Sequence, residues 1–131
     1  MAYESSPRVL IVGLGSSGLA AAHLAAADGS EVWATDLRAE GELATELAAL
    51  GGGVRTFLGG NPESCLEGVG LVIASPGVPA DAPLLRLARE RGIEINTEIE
   101  FAWFHQPQAE LVAVTGSNGK STVTELTVRM L

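Results

Sequence analysis

The chain has 131 residues and a formal net charge of −8, from 16 acidic and 8 basic residues. That balance argues against a nucleic-acid partner, so an anionic ligand has to be held by backbone amides and a few placed cations. Apolar residues make up 47%, no stretch reaches the ~20 apolar residues of a membrane span, and MAYESSPR lacks the regions of a signal peptide, so a soluble cytoplasmic protein with no membrane partner is expected.

Arg8 to Gly13, RVLIVG, is a continuous apolar run ending in glycine, as in a buried parallel strand. Ser16 to Asp28 reads as an Ala/Leu-rich helix closed by Gly29. Glu31 to Asp36 is a second strand, and Glu40 to Leu50 a helix stopped by three glycines. Val54 to Phe57 is a short third strand, and Asn61 to Leu66 a turn or short helix that contains the lone Cys65, expected as a core residue. Leu71 to Ala74 is a fourth strand that ends at Ser75, Pro76 and Gly77. Asp81 is placed to cap a helix running to Arg91, and Ile93 to Ile95 is a fifth strand. The alternation predicts an α/β fold, a Rossmann-like doubly wound parallel sheet with right-handed crossovers.

The pattern then restarts. Thr97 and Glu100 have capping-box spacing for a helix to about His105, and Pro107 breaks it. Leu111 to Thr115 reads as a buried strand, followed by a glycine-framed loop and a final helix. A lone parallel strand has no sheet to join. The expected division is therefore a first domain over 1–96 and, over 97–131, the beginning of a P-loop ATPase domain whose remainder lies elsewhere.

Two motifs carry chemistry. Gly13, Gly15 and Gly18 form G-x-G-x-x-G between a strand and a helix. The first glycine permits the tight turn, the second lets backbone approach a pyrophosphate, and the third permits close helix–strand packing. Asp36 ends the next strand, where an acid commonly meets a ribose, and Arg38 lies beyond the same strand end. Ser75, Pro76 and Gly77 leave the fourth strand at the carboxyl edge, where ligands bind in open α/β sheets.

The second motif is TGSNGKST, from Thr115 to Thr122. The common phosphate loop would have its first glycine at Val114, whereas this chain has the tighter Gly116-Ser117-Asn118-Gly119-Lys120-Ser121. The mechanics survive: amides point inward, Lys120 stabilises phosphate charge, and the Ser121 or Thr122 hydroxyl reaches Mg²⁺.

GLGSSG, ASPGVP (Ala74 to Pro79), NTEIEF (Asn96 to Phe101) and VTGSNGKST together resemble the Mur ligases of peptidoglycan synthesis, and within that family its D-glutamate-adding members. The resemblance implies an ATP-dependent, amide-forming ligase. ATP would phosphorylate the carboxylate of UDP-N-acetylmuramoyl-L-alanine, and the amine of D-glutamate would attack the acyl phosphate. It implies that Gly15, Ser16 and Ser17 face the pyrophosphate and that Asp36, Leu37 and Arg38 lie near the uracil. Ser75, Pro76 and Gly77 would line the same cleft. Gly116, Ser117, Asn118, Gly119, Lys120, Ser121 and Thr122 would serve ATP, with Lys120 and Ser121 catalytic and Ser121 a ligand to Mg²⁺. The family often has a hydroxyl residue where Leu37 stands, which leaves Asp36 a structural or ribose-side role. The D-glutamate site would lie downstream of Leu131, so the 131 residues alone are expected to be inactive and the full-length enzyme a monomer. Three other readings compete: an NAD-binding oxidoreductase or regulatory domain, a stand-alone nucleotide-binding adaptor, and a sister ligase adding another amino acid.

Overall fold

The apolar runs pair into one five-stranded parallel sheet in the computed structural model, which describes residues 8–106, 108, 110, 114, 116 and 118–130. The strands are β1 (Arg8–Val12), β2 (Glu31–Asp36), β3 (Arg55–Leu58), β4 (Leu71–Ala74) and β5 (Glu94–Thr97), in the order β3-β2-β1-β4-β5. The helices are α1 (Ser16–Ala27), α2 (Ala44–Leu50), α3 (Pro83–Glu90), α4 (Glu98–Phe104) and α5 (Lys120–Met130). This is the doubly wound half-fold, and its strand order reverses between β1 and β4.

Strand β1 lies at the centre, with Val9 aligned to Val32 on one side and Leu71 on the other. Successive side chains point to opposite faces, so one strand feeds two cores. Val9 and Ile11 pack under α1 and α4, while Leu10 and Val12 pack under α3 and the turn holding Cys65. Both faces are covered, which is why the run is apolar from Val9 to Val12 instead of alternating. Cys65 is fully buried, and burial pushes its thiol up to about 11, so it is a core residue as expected.

The expected helix over Glu40 to Leu50 is instead a 3₁₀ turn, Glu40–Glu42, followed by α2. Leu43 lies between them, fully buried, and its packing breaks the helix there. Asp81 does not cap α3. Ala82 holds that position without a side-chain hydrogen bond, and Pro83 opens the helix, where its missing N–H costs nothing. β3 runs one residue later than expected, and β5 extends through Thr97.

Asn96, the expected boundary, therefore falls inside β5. Thr97 ends the strand and caps α4: its Oγ1 accepts from the Glu100 N–H at 3.2 Å, and Glu100 Oε2 accepts from the Thr97 N–H at 2.6 Å. Phe101 of α4 is fully buried in the core beside Val9, Ile11 and Ala21. Helix α4 thus packs with the first sheet. Leu111, Val112, Ala113 and Thr115 of the expected strand, Pro107, and Ser117 of the loop lie outside the described residues. Helix α5 forms as expected, with none of its residues buried. Among the described residues no helix is long and apolar enough to cross a membrane.

Candidate functional site

The site forms where β1, β2 and β4 end side by side. Gly13 turns the chain out of β1 with φ +95°, and its N–H donates to Thr35 O at 2.9 Å. A Cβ on Gly13 would lie 2.9 Å from the Ser75 Cβ, and one on Gly18 only 2.1 Å from the Gly13 carbonyl oxygen. Those two glycines are required by packing. Gly15 is different. A Cβ there would meet nothing within 4 Å, and its backbone has an ordinary φ of −81°. It precedes α1, a 12-residue helix with no side-chain cap and no acid in its first turn. Gly15, Ser16 and Ser17 are exposed, at the end of the helix that favours anions.

Asp36 ties the second strand end to this turn. Its Oδ2 accepts from the Leu14 N–H at 2.8 Å, and Oδ1 accepts from the Arg38 N–H at 2.9 Å. The Arg38 guanidinium donates to both oxygens, from Nε at 3.1 Å and Nη2 at 2.9 Å, and Nη2 also reaches Leu14 O at 3.2 Å. Burial by itself would raise the Asp36 carboxyl, but these hydrogen bonds outweigh it and hold it down at about 2. The bond to Asp36 in turn raises Arg38 above its usual value. Asp36 is thereby a structural strut, and Arg38 is the bracket around it. Leu37 points outward, 71% exposed.

Ser75 completes the edge. Its N–H donates to Val12 O at 3.0 Å and its hydroxyl to Glu98 Oε1 at 2.8 Å. A cleft of about 390 Å³ opens between α1 and α4, lined among others by Ser17, Pro76, Glu98 and Ile99. The nine residues expected for the UDP substrate thus share one sheet edge. Leu14 and Glu98 join them and were missed. The i, i+22 and i, i+23 contacts that bring them in leave no mark in local sequence. In the second motif, Gly116 and Gly119 have positive φ before α5, and Lys120, Ser121 and Thr122 are exposed. A cation and two hydroxyls suit a triphosphate. Among the described residues no group of three His, Cys, Asp or Glu gathers for a metal, so Ser121 would supply only one ligand of a set.

Fold and strand order together define a Rossmann-like α/β domain with its switch point between β1 and β4. The family model described as Mur ligase MurD-like, N-terminal domain, matches residues 7–97, and the chain belongs to that family. It is 45% identical over 124 residues to the UDP-N-acetylmuramoylalanine–D-glutamate ligase of Anaeromyxobacter dehalogenans, covering 95% of this chain and 27% of that protein. It is 44% identical over 126 residues to the ligase of the same name in Shouchella clausii, with the same coverage. The chain therefore spans about a quarter of the length of these relatives. Among solved structures it is similar to the UDP-N-acetylmuramate-alanine ligase MurC of Thermotoga maritima, with TM-score 0.60 and 26% identity over 92% of this chain and 28% of that one. The murein peptide ligase Mpl of Psychrobacter arcticus shares the fold, with TM-score 0.65 at 22% identity over 92% of this chain and 25% of that one.

Proposed function

We propose that the chain is the substrate-nucleotide domain, with the opening of the ATP-binding domain, of a ligase that adds D-glutamate to UDP-N-acetylmuramoyl-L-alanine in peptidoglycan synthesis. The observation that carries the reading is the open backbone at Gly15, beside the Asp36–Arg38 bracket and the Ser75 turn. The D-glutamate step is supported by relatives of that name at 45% and 44% identity. The diphosphate would lie on the amides of Gly15, Ser16 and Ser17, and the uracil near Leu37 and Arg38, with Ser75, Pro76 and Gly77 along the opposite wall.

At the second motif, ATP would supply the phosphoryl group that activates the substrate carboxylate for attack by the D-glutamate amine. Lys120 would stabilise the phosphate charge, and Ser121 would give Mg²⁺ a hydroxyl ligand. The amides of Gly116, Ser117, Asn118 and Gly119, with the Thr122 hydroxyl, would hold the phosphates. The packing of Phe101 supports placing the passage between the two domains after α4.

A dinucleotide oxidoreductase is less well supported, because the Asp36 carboxylate that would receive a ribose is already engaged by Leu14 and Arg38. Calorimetric titration tests the choice. UDP-N-acetylmuramoyl-L-alanine is expected to bind and NADH to give no heat; the reverse order would overturn the reading.

A further inference from the structure

A second cavity opens at the amino edge of the sheet, where β2 and β3 begin, and its volume is about 350 Å³. Ala22, Ala26, Val32, Leu50 and Val54 form its aliphatic walls. It shares no lining residue with the α1–α4 cleft. Ser30 lines it as well. Ser30 stands two residues before Val32, whose side chain packs with Ala21, Ala22 and Ala25 of α1, so strand alternation turns both toward that face. Ser30 is only 9% exposed, and its N–H is spent on Ala25 O at 3.1 Å. Its hydroxyl has no hydrogen-bond partner among the described residues. Native folds seldom leave a buried hydroxyl unbonded, and a ligand that bonds it recovers the cost.

The other polar groups near the cavity are acceptors. His23 Nε2 lies 3.0 Å from Ala49 O. A carbonyl only accepts, so Nε2 carries the proton and the neutral ring offers Nδ1 as an acceptor. At the end of α2, Leu47 O takes the Gly51 N–H at 3.3 Å and Ala49 O takes His23. The Ala48 and Leu50 carbonyls have no partner among the described residues. The carboxyl end of α1, the negative end of its dipole, borders the same space through Ala26. No lysine or arginine lines the cavity, whereas Glu31 does. Exposed Gly52 borders it with no positive φ, and a Cβ there would meet nothing within 4 Å. Neither backbone conformation nor crowding requires a glycine at that position.

We infer that this cavity is a seat for a primary ammonium on a short aliphatic stem. The stem lies along the alanine, valine and leucine walls. The ammonium has three protons and no acceptor, which matches the Ser30 oxygen and the free carbonyls of α2. A carboxylate of the same length finds no cation there and meets the carbonyl oxygens instead. The seat is independent of the nucleotide reading, because no residue serves both.

The test is amide-correlation NMR of the full chain titrated with n-butylammonium, n-butanol and butyrate, which share an aliphatic stem and differ in head group. Butylammonium is expected to shift the amides of Ser30, Val32 and Gly52 saturably, on the order of millimolar, as suits so small a ligand. Butanol should bind more weakly, and butyrate should leave these amides in place. Ser30→Ala removes a hydroxyl that bonds nothing else, so the fold should stand and butylammonium should weaken about tenfold. Gly52→Leu should fill the cavity and abolish the shifts at Ser30 and Val32. Butyrate or butanol matching butylammonium, no response to butylammonium, or unchanged titrations in the variants would overturn the inference. Circular dichroism melts report whether each variant folds. If Ser30→Ala does not, the order of the three head groups and Gly52→Leu decide.

Discussion

Asp36 shows how a motif can mark a residue and leave its job open between a ligand and the fold. The position suggests an acid offered to a ligand, but the carboxylate is turned inward onto Leu14 and Arg38. Its titration then becomes a stability term. The carboxyl sits at about 2 in the fold against an ordinary 3.8, so the folded state favours the charged form. The stabilisation is fully present above about pH 4, is lost as pH falls through about 2, and amounts to about 2 kcal/mol. Urea unfolding of native protein and Asp36→Asn from pH 6 to pH 2 checks this. The native curve should lose about 2 kcal/mol more than the variant over that range. Parallel curves would mean that the Arg38 bracket contributes nothing. The glycines of the first motif divide in the same way. Gly18→Ala drives a Cβ into the Gly13 carbonyl and should cost more than about 3 kcal/mol or prevent folding. Gly15→Ala meets open space, so stability should change by less than about 1 kcal/mol. If the proposed diphosphate seat is right, the added methyl group would crowd it and UDP binding should fall. Thermal melts and UDP titrations of the two variants separate the packing glycine from the ligand-facing one.

At the scale of elements, β1 and β4 were legible because the part of a parallel strand buried on both faces must be apolar. Val9 to Val12 and Leu71 to Ala74 have no polar position to confuse the reading. Helix α4 was legible as a helix, from Thr97 and Glu100, but the core in which Phe101 packs was not. The run from Phe101 to Phe104 states only that something must cover it. That Phe101 would be fully buried while Trp103 stays 38% exposed depends on the angle at which α4 leaves β5. That angle is set by tertiary contacts. At the far end of α4, His105 Nδ1 donates to Phe101 O at 2.9 Å, and Nε2 lies 3.5 Å from Asp28 at the end of α1. The Phe101 contact is an i, i+4 pair, but the Asp28 partner is not predictable from spacing. If α4 belongs to the first body, Phe101→Ala should destabilise the whole sheet by about 3–5 kcal/mol, and Thr97→Ala by about 1 kcal/mol. Trp103→Ala should cost under about 1 kcal/mol. Denaturant unfolding followed by far-ultraviolet circular dichroism gives all three. A Phe101 variant as stable as native protein would return α4 to the second domain.

At the scale of the molecule, the two glycine motifs differ in how they are supported. GLGSSG is set between strand β1 and helix α1, with the Asp36 strut and the Ser75 turn fixed around it. GSNGKST leads into α5, whose Val123, Leu126, Val128 and Met130 are 50% to 86% exposed. An 11-residue helix with no buried face is marginal on its own. Its apolar residues and the quarter-length coverage of the relatives agree on one point. On the proposed reading, the substrate nucleotide would sit on the first sheet and ATP would draw on surfaces that this sheet does not provide. Ligand linkage makes this measurable, because a ligand stabilises only the unit that holds it. At about one hundred times its dissociation constant, UDP should add about 2.7 kcal/mol to the sheet body and raise its Tm by on the order of 10 °C. ATP with Mg²⁺ at the same concentration should leave that transition where it is, since Lys120 and Ser121 are exposed on α5 and are not among the residues lining the cleft. Differential scanning calorimetry with each nucleotide compares the two directly. A shift with ATP as large as with UDP would mean that the first body does not distinguish them, and the division of labour between the two motifs would fall.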